Sequence, residues 1–251
     1  MAAPRFLGVI PSRYASSRLP GKPLLDIAGR PMIEHVYRRA IASDVFFRVI
    51  VATDDDRIYN AVEKFGGEAR MTSPDHPDGS SRVAEIARGI DTDYVINIQG
   101  DEPMLDPRML RELAEGIAAD KTADSATVCV PITSEEDFNN PNIVKVVRAG
   151  NGRALFFSRS PIPYQRASAG CPLWEHLGIY AFTKEFLLRF VALPPTPLMK
   201  TESLEQLRIL EHGSSMAVIP TKYPSEGPNV NTQEDLDSVR EPLARRKKDI
   251  K

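Results

Sequence analysis

Short apolar runs alternate with amphipathic stretches along most of this chain. That rhythm constrains the fold more than any single residue does. A run that is apolar at every position has to be buried on both faces of a sheet. Phe6-Leu7-Gly8-Val9-Ile10 is such a run. Strands are predicted at 5–10, 48–52, 94–98, 126–130, 143–147, 176–182 and 216–219. Helices are predicted at 31–43, 55–65, 80–89, 106–119, 184–191, 203–212 and 233–245. Pro31 suits the first helical position of 31–43, where Ile33, Val36, Tyr37 and Ala40 share one face. Ile58, Ala61, Val62 and Phe65 do the same in 55–65. Thr232 followed by Asp235 reads as a variant capping box. The alternation predicts an α/β fold, a doubly wound and mostly parallel sheet covered on both faces. Residues 140–182 have a different texture, strand-rich with the turn Ala149-Gly150-Asn151-Gly152. The chain 1–251 is therefore read as one α/β domain carrying 140–182 as a strand-rich insertion, a flap or a dimerisation arm.

Charge and composition exclude several classes. A net charge of −2 lacks the broad basic excess of a nucleic-acid binder. The one basic block, Arg245-Arg246-Lys247-Lys248, reads as a solvated helix end near the negative pole of the dipole. No segment is apolar enough to span a bilayer, and no N-terminal stretch reads as a signal peptide. Cys129 and Cys171 form neither a zinc motif nor a disulfide framework, and Cys129 reads as a core residue. A cytoplasmic protein with no membrane partner is expected.

Ligands of doubly wound sheets bind at the carboxyl ends of the strands, so the loops there are the candidate site. The first reads IPSRYASSRLPGKPL, residues 10–24. It holds Arg13, Arg18 and Lys22 with no acidic residue between them. Two forked guanidiniums and one ammonium match phosphate oxygens. The loop is not a Walker A sequence, because Lys22 is followed by Pro23, and no G-x-G-x-x-G occurs in the chain. A solvated surface loop is the plainer alternative, but the cations sit at a strand end and not on a helix face.

The second loop, Thr53-Asp54-Asp55-Asp56, reads as the acidic first turn of helix 55–65. The third is Gln99-Gly100-Asp101-Glu102-Pro103. Asp101 there suits Mg²⁺, which takes few protein carboxylates and completes its shell with water and substrate oxygens. Asp106-Pro107 makes the better cap for the helix that follows. Asp78-Gly79-Ser80-Ser81-Arg82 precedes a helix and can hold ribose or phosphate, although Ser at an N-cap is commonplace. His176, between Trp174 and Tyr180, reads by itself as a structural residue. ESLEQLRIL puts Glu202, Glu205 and Gln206 on the first turns of a helix.

The stretches IPSRYASSRLPGKPL, VATDDDRI, MTSPDH, INIQGDEP, LFFSRSPIPY, HLGIYAF and ESLEQLRIL occur in that order. Together they resemble the CMP-Kdo synthetases, the 3-deoxy-manno-octulosonate cytidylyltransferases of lipopolysaccharide and capsule synthesis. The likeness runs over nearly the whole chain. The opening loop alone is shared with CMP-sialate synthetases and other sugar nucleotidyltransferases. The resemblance implies the fold of the nucleotide-diphospho-sugar transferases and a homodimer. It also implies a Mg²⁺-dependent reaction in which the C2 hydroxyl of the sugar acid attacks the α-phosphorus of CTP and pyrophosphate leaves. By the same resemblance Arg13, Arg18 and Lys22 hold the triphosphate, and Ser81 and Arg82 contact the nucleotide. Gln99 lies between nucleotide and sugar, and Asp101 binds the metal. Lys22, Arg13 and Asp101 are then the catalytic set. Arg159, His176, Tyr180, Glu205 and Gln206 meet the acid.

Two positions depart from that pattern. Ser81 stands where the family's SGTDR carries Asp. Asn231, in PNVNTQEDL, replaces the Asp of the family's GVDTPEDL, expected as the second metal ligand. An amide oxygen can still ligate Mg²⁺, but one negative charge is lost. Weaker metal binding, altered metal geometry, or another acceptor is the predicted consequence, the acceptor being 8-amino-Kdo, a nonulosonate or a small phosphonate. Two other classes compete. A glycosyltransferase needs an Asp-x-Asp after a strand, and Asp54-Asp55-Asp56 instead begins a helix. A non-catalytic nucleotide-binding relative is suggested by Asn231 alone.

Overall fold

β1 (Phe6–Ser12) is buried along nearly its whole length. The computed structural model describes residues 3–15, 18–167 and 170–249. Within these the chain forms two compact units, Met1–Arg111 with Tyr223–Lys251, and Glu112–Lys222. In the first unit, β1 is followed by the short antiparallel ladder β2 (Asp26–Ile27) and β3 (Arg30–Pro31). Then come α1 (Met32–Ala42), β4 (Phe46–Thr53), α2 (Asp56–Lys64), β5 (Ala69–Met71), α3 (Gly79–Arg88) and β6 (Tyr94–Asn97). β1 lies between β4 and β6, parallel to both, and β5 adds in parallel to the far edge of β4. A central strand flanked on both edges and covered on both faces accounts for the continuous apolar run.

α4 (Pro107–Ala119) leads into the second unit. There follow β7 (Ser125–Pro131), α5 (Glu135–Asn139), β8 (Lys145–Arg148), β9 (Ala154–Ser158) and β10 (Trp174–Thr183). α6 (Lys184–Phe190), α7 (Pro197–Glu202), α8 (Leu207–Glu211) and β11 (Met216–Pro220) complete it. β7 pairs in parallel with β11 and antiparallel with β10. β8 joins β10 and β9, both antiparallel, so the strand-rich texture of 140–182 corresponds to an antiparallel set. α9 (Gln233–Asp249) returns to the first unit, where Leu236, Val239 and Leu243 pack with Ile27, Met32, Met104 and Val230. Its N-terminus is the predicted capping box: Asp235 N–H donates to Thr232 Oγ1 at 3.2 Å and Thr232 N–H to Asp235 Oδ2 at 2.8 Å. The side chains of Arg246, Lys247 and Lys248 lie outside the described residues. No helix among the described residues is long and apolar enough to cross a membrane.

The α/β class and the mostly parallel sheet agree with the sequence. Three details differ. Pro31 is the N-cap of α1 and still extended, with ψ 146°, because it pairs with Asp26 in the β2–β3 ladder. The predicted helix 203–212 is helical only as α8, which begins at Leu207, because Ser203 adopts φ 52°, ψ 47° as the C-cap of the preceding α7. A left-handed residue cannot continue a right-handed helix. Glu202 therefore closes α7, and Glu205 lies in the connection. β5, β9, α5 and α7 carry too short a period to stand out in the sequence. Both cysteines are free; Cys129 is buried, which pushes its thiol up to about 12.

Candidate functional site

At the carboxyl end of β1 a cavity of about 330 Å³ opens, lined by Arg13, Arg18, Lys22, Gln99, Asp101 and Asn231 among others. The loop after β1 is shaped by Gly21, whose φ of 68° is left-handed. A Cβ there would stand 3.1 Å from the Tyr14 ring. Gly21 N–H donates to Tyr14 O at 3.1 Å, and a turn of 3₁₀ helix over Lys22–Leu24 follows. Gly100 is tied to the same place, since a Cβ on it would meet Pro11 O at 3.1 Å. Two neighbouring strand ends thus bring Lys22 and Asp101 together across 79 residues of sequence. Ser16 and Ser17 of this loop lie outside the described residues.

Lys22 Nζ donates to Asp101 Oδ2 at 2.8 Å and to Asn231 Oδ1 at 3.3 Å. Arg18 donates to the same Asn231 oxygen at 3.1 Å. Arg13 also lines the cavity, but its Nη2 donates to His76 O and, at 3.4 Å, to Asp78 O. Glu102, next to Asp101, is buried and accepts from Ser225 Oγ at 3.1 Å. Burial first, then the Asp101 charge, push its carboxyl up to about 7.

Ser81 and Arg82 are not in the cavity lining. Asp78 caps α3, taking Ser81 N–H at 2.7 Å, while Ser81 Oγ donates back to Asp78 O at 2.9 Å. Arg82 is fully buried, its Nη2 2.9 Å from Asp54 Oδ2 and its Nη1 on Thr72 Oγ1. The physical reason is helical phase: α3 turns this residue into the core, and Asp54 neutralises it there. Asp54 is therefore a buried-pair partner, while Asp55 is the one that caps α2. Ser12 escaped the sequence reading. Its hydroxyl is buried in the cavity wall and has no hydrogen-bond partner among the described residues.

A second constellation lies in the other unit. His176 is 7% exposed and Gln206 3%. Gln206 Nε2 donates to His176 Nδ1 at 3.4 Å, and Gln206 Oε1 accepts from Tyr180 OH at 3.2 Å. His176 Nε2 lies 2.9 Å from Thr127 Oγ1. With Nδ1 accepting, Nε2 carries the proton and the ring is neutral. Burial holds His176 down at about 3, and burial likewise pushes Tyr180 far up. Thr127 belongs to this network through β7 and was not foreseen, since its pairing with β10 is invisible in sequence. Arg208 holds Glu205 at 3.3 Å. Arg159 Nε donates to Glu202 O at 2.8 Å and its Nη1 to Pro141 O at 3.0 Å.

The first site offers a metal ion few carboxylates. No cluster of three or more His, Cys, Asp or Glu residues could hold a metal among the described residues. Asp101 and Asn231 nevertheless already share a cation, the Lys22 ammonium. One carboxylate and one amide oxygen suit an ion that keeps waters and phosphate oxygens for the rest of its shell.

A cytidylyltransferase family model matches residues 7–218. The 3-deoxy-manno-octulosonate cytidylyltransferase of Syntrophobacter fumaroxidans is 49% identical, over 94% of this chain and 95% of its own. That of Chlorobium limicola is 47% identical, over 94% and 96%. A solved structure of CMP:2-keto-3-deoxy-manno-octonic acid synthetase complexed with CTP superposes with a TM-score of 0.91. It is 43% identical and covers 96% of this chain and 99% of that one. The chain belongs to the 3-deoxy-manno-octulosonate cytidylyltransferase family, the CMP-Kdo synthetases.

Proposed function

We propose that this protein transfers CMP from CTP to the anomeric hydroxyl of 3-deoxy-manno-octulosonate and releases pyrophosphate. The observation that carries the reading is the cavity at the end of β1, where Arg13, Arg18 and Lys22 stand with Asp101 in one wall. The family membership supports the acid, and the relatives at 49% and 47% identity act on it by name. The glycosyltransferase reading has no observation in its favour, and the non-catalytic one has Asn231 alone.

The three cations bind the triphosphate and neutralise the charge that grows on the departing pyrophosphate. Arg13 gives its guanidinium to phosphate after exchanging its carbonyl partners, and Lys22 swings from Asp101 to a phosphate oxygen. Asp101 and Asn231 would hold Mg²⁺, which when bound supplies charge neutralisation at the phosphates. Ser12 Oγ, now unpartnered among the described residues, takes a nucleotide oxygen or ring nitrogen. Gln99, in the same lining, stands between nucleotide and sugar. His176, Tyr180, Gln206, Glu205 and Arg159 recognise the acid. His176 acts there as a neutral hydrogen-bonding group, because its proton is held on Nε2 and its second protonation is suppressed. Ser81 and Arg82 support the nucleotide site from the cap and core of α3 and do not touch the nucleotide.

Residues 140–182 serve as a dimerisation arm in a homodimer. Leu155, 60% exposed, and Tyr164, 88% exposed, lie on it. Light scattering of the wild type and a Leu155→Glu, Tyr164→Glu variant tests this. The location is cytoplasmic, where the nucleotide substrate is made. The deciding experiment is pyrophosphate release from CTP with 3-deoxy-manno-octulosonate and Mg²⁺. Turnover that needs all three supports the proposal, and none with any sugar acid tried defeats it.

A further inference from the structure

Lys145 is among the most deeply buried side chains of the second unit, with no exposed surface. A buried ammonium is costly unless every N–H is satisfied. All three are, by neutral carbonyls: Nζ donates to Asn140 O at 2.7 Å, Ile143 O at 2.8 Å and Arg159 O at 3.1 Å. The first two belong to the turn before β8. That turn also presents Pro141 O, which accepts from Arg159 Nη1 at 3.0 Å. Lys145 thus grips Arg159 twice, at its own carbonyl and through the turn that receives its guanidinium.

Glu202 grips it from the other side. One carboxylate oxygen accepts from Ser158 Oγ at 2.6 Å, and the other accepts from Arg159 N–H at 2.9 Å. The Glu202 carbonyl then takes Arg159 Nε at 2.8 Å. That carbonyl sits at the end of α7, where unpaired carbonyls favour a cation. Arg159 is therefore held at its N–H, C=O, Nε and Nη1. Nη2 has no hydrogen bond among the described residues, so the guanidinium is fixed with one donor arm to offer.

We propose that Lys145 and Glu202 are positioning residues that pre-orient the Arg159 guanidinium for a carboxylate ligand. The inference rests on the reading of Arg159 as a contact of the sugar acid. A long cation that is already immobilised binds a carboxylate without the entropy of ordering itself, so loss of the clamp weakens acid recognition specifically. His176 belongs to the same scaffold, since its backbone N–H donates to Val144 O at 2.7 Å.

Three variants test this: Lys145→Met, Glu202→Gln and Arg159→Lys. Each is assayed by steady-state kinetics in which the sugar acid and CTP are varied in turn. Glu202→Gln retains the shape and an acceptor for Ser158 but turns an amide N–H₂ towards Arg159 N–H. It is the milder lesion if Lys145→Met fails to fold. All three should raise the KM for the acid by about tenfold or more and leave that for CTP within about twofold. If Arg159→Lys leaves the acid KM unchanged, the reading of Arg159 fails and the positioning role falls with it. If Arg159→Lys raises it while Glu202→Gln does not, the positioning role alone is overturned. Parallel increases in both KM values, with a lower melting temperature, would mark a merely structural role and also overturn it.

Discussion

Lys22 Nζ lies 2.8 Å from Asp101 Oδ2, an ion pair in which both side chains are largely buried. Asn231 joins it through one amide oxygen that accepts from Lys22 and from Arg18. Around this amide, Lys22 and Arg18 bring two cations to the single carboxylate of Asp101. A triphosphate is attracted to such a corner and a bare divalent ion is not. On the proposed function, Lys22 and Mg²⁺ would compete for Asp101, and a bound nucleotide would offer Lys22 a phosphate instead.

Lys22→Ala removes the resident counter-ion of Asp101 and, on the proposed function, a phosphate contact. At saturating acid, turnover should fall by about a hundredfold or more, in the range seen when one preorganised charge donor is lost. Steady-state pyrophosphate release checks this. Near-normal turnover would remove Lys22 from the phosphate site.

Asn231→Asp places a second carboxylate beside Asp101 and adds one negative charge to the corner. The Mg²⁺ concentration for half-maximal rate should drop, and Mn²⁺ should bind the nucleotide-free protein more tightly, by about tenfold for about 1.4 kcal/mol of added attraction. Electron paramagnetic resonance of free Mn²⁺ measures the second effect. Unchanged metal affinity would place residue 231 away from the ion.

Asp54→Ala leaves the buried Arg82 guanidinium without its ion-pair partner. Arg82 has no exposed side-chain surface and Asp54 is 18% exposed. Breaking such a pair from one side costs about 3 kcal/mol or more. Chemical denaturation measures it. A loss under about 1 kcal/mol would show that Thr72 and the surrounding dipoles suffice for this cation.

His176 gives the pH prediction. Its folded pKa, held down at about 3 by burial, lies below the unfolded value of 6.5. The unfolded state therefore binds the proton first as pH falls. The contribution is fully present above about pH 6.5 and is lost steadily towards pH 3, with a slope of about 1.4 kcal/mol per pH unit for one proton. Denaturation of wild type and His176→Phe at neutral pH and at two acidic steps should show the variant losing less stability on acidification. In the mildly acidic to neutral range the wild-type rate profile should lack a limb belonging to His176. A limb near the ordinary imidazole value that His176→Phe abolishes would place the ring in solvent.

Local pattern fixed the α/β class, the apolar central strand, most helix positions and the Thr232–Asp235 cap, because these depend on neighbours within a turn or two. It also marked the strand-end loop with Arg13, Arg18 and Lys22, since three cations without an acid stand out in one dimension. The tertiary structure alone decided which charges meet. Asp101 and Asn231 reach Lys22 across 79 and 209 residues. Arg82 was turned into the core by helical phase and neutralised by Asp54, 28 residues away. Ser203, left-handed, ends α7 at Glu202, and Glu202 accepts from Arg159 N–H across 43 residues. Periodicity reports burial along one element. Partnership between charges depends on distances between elements, and those exist only once the chain has folded.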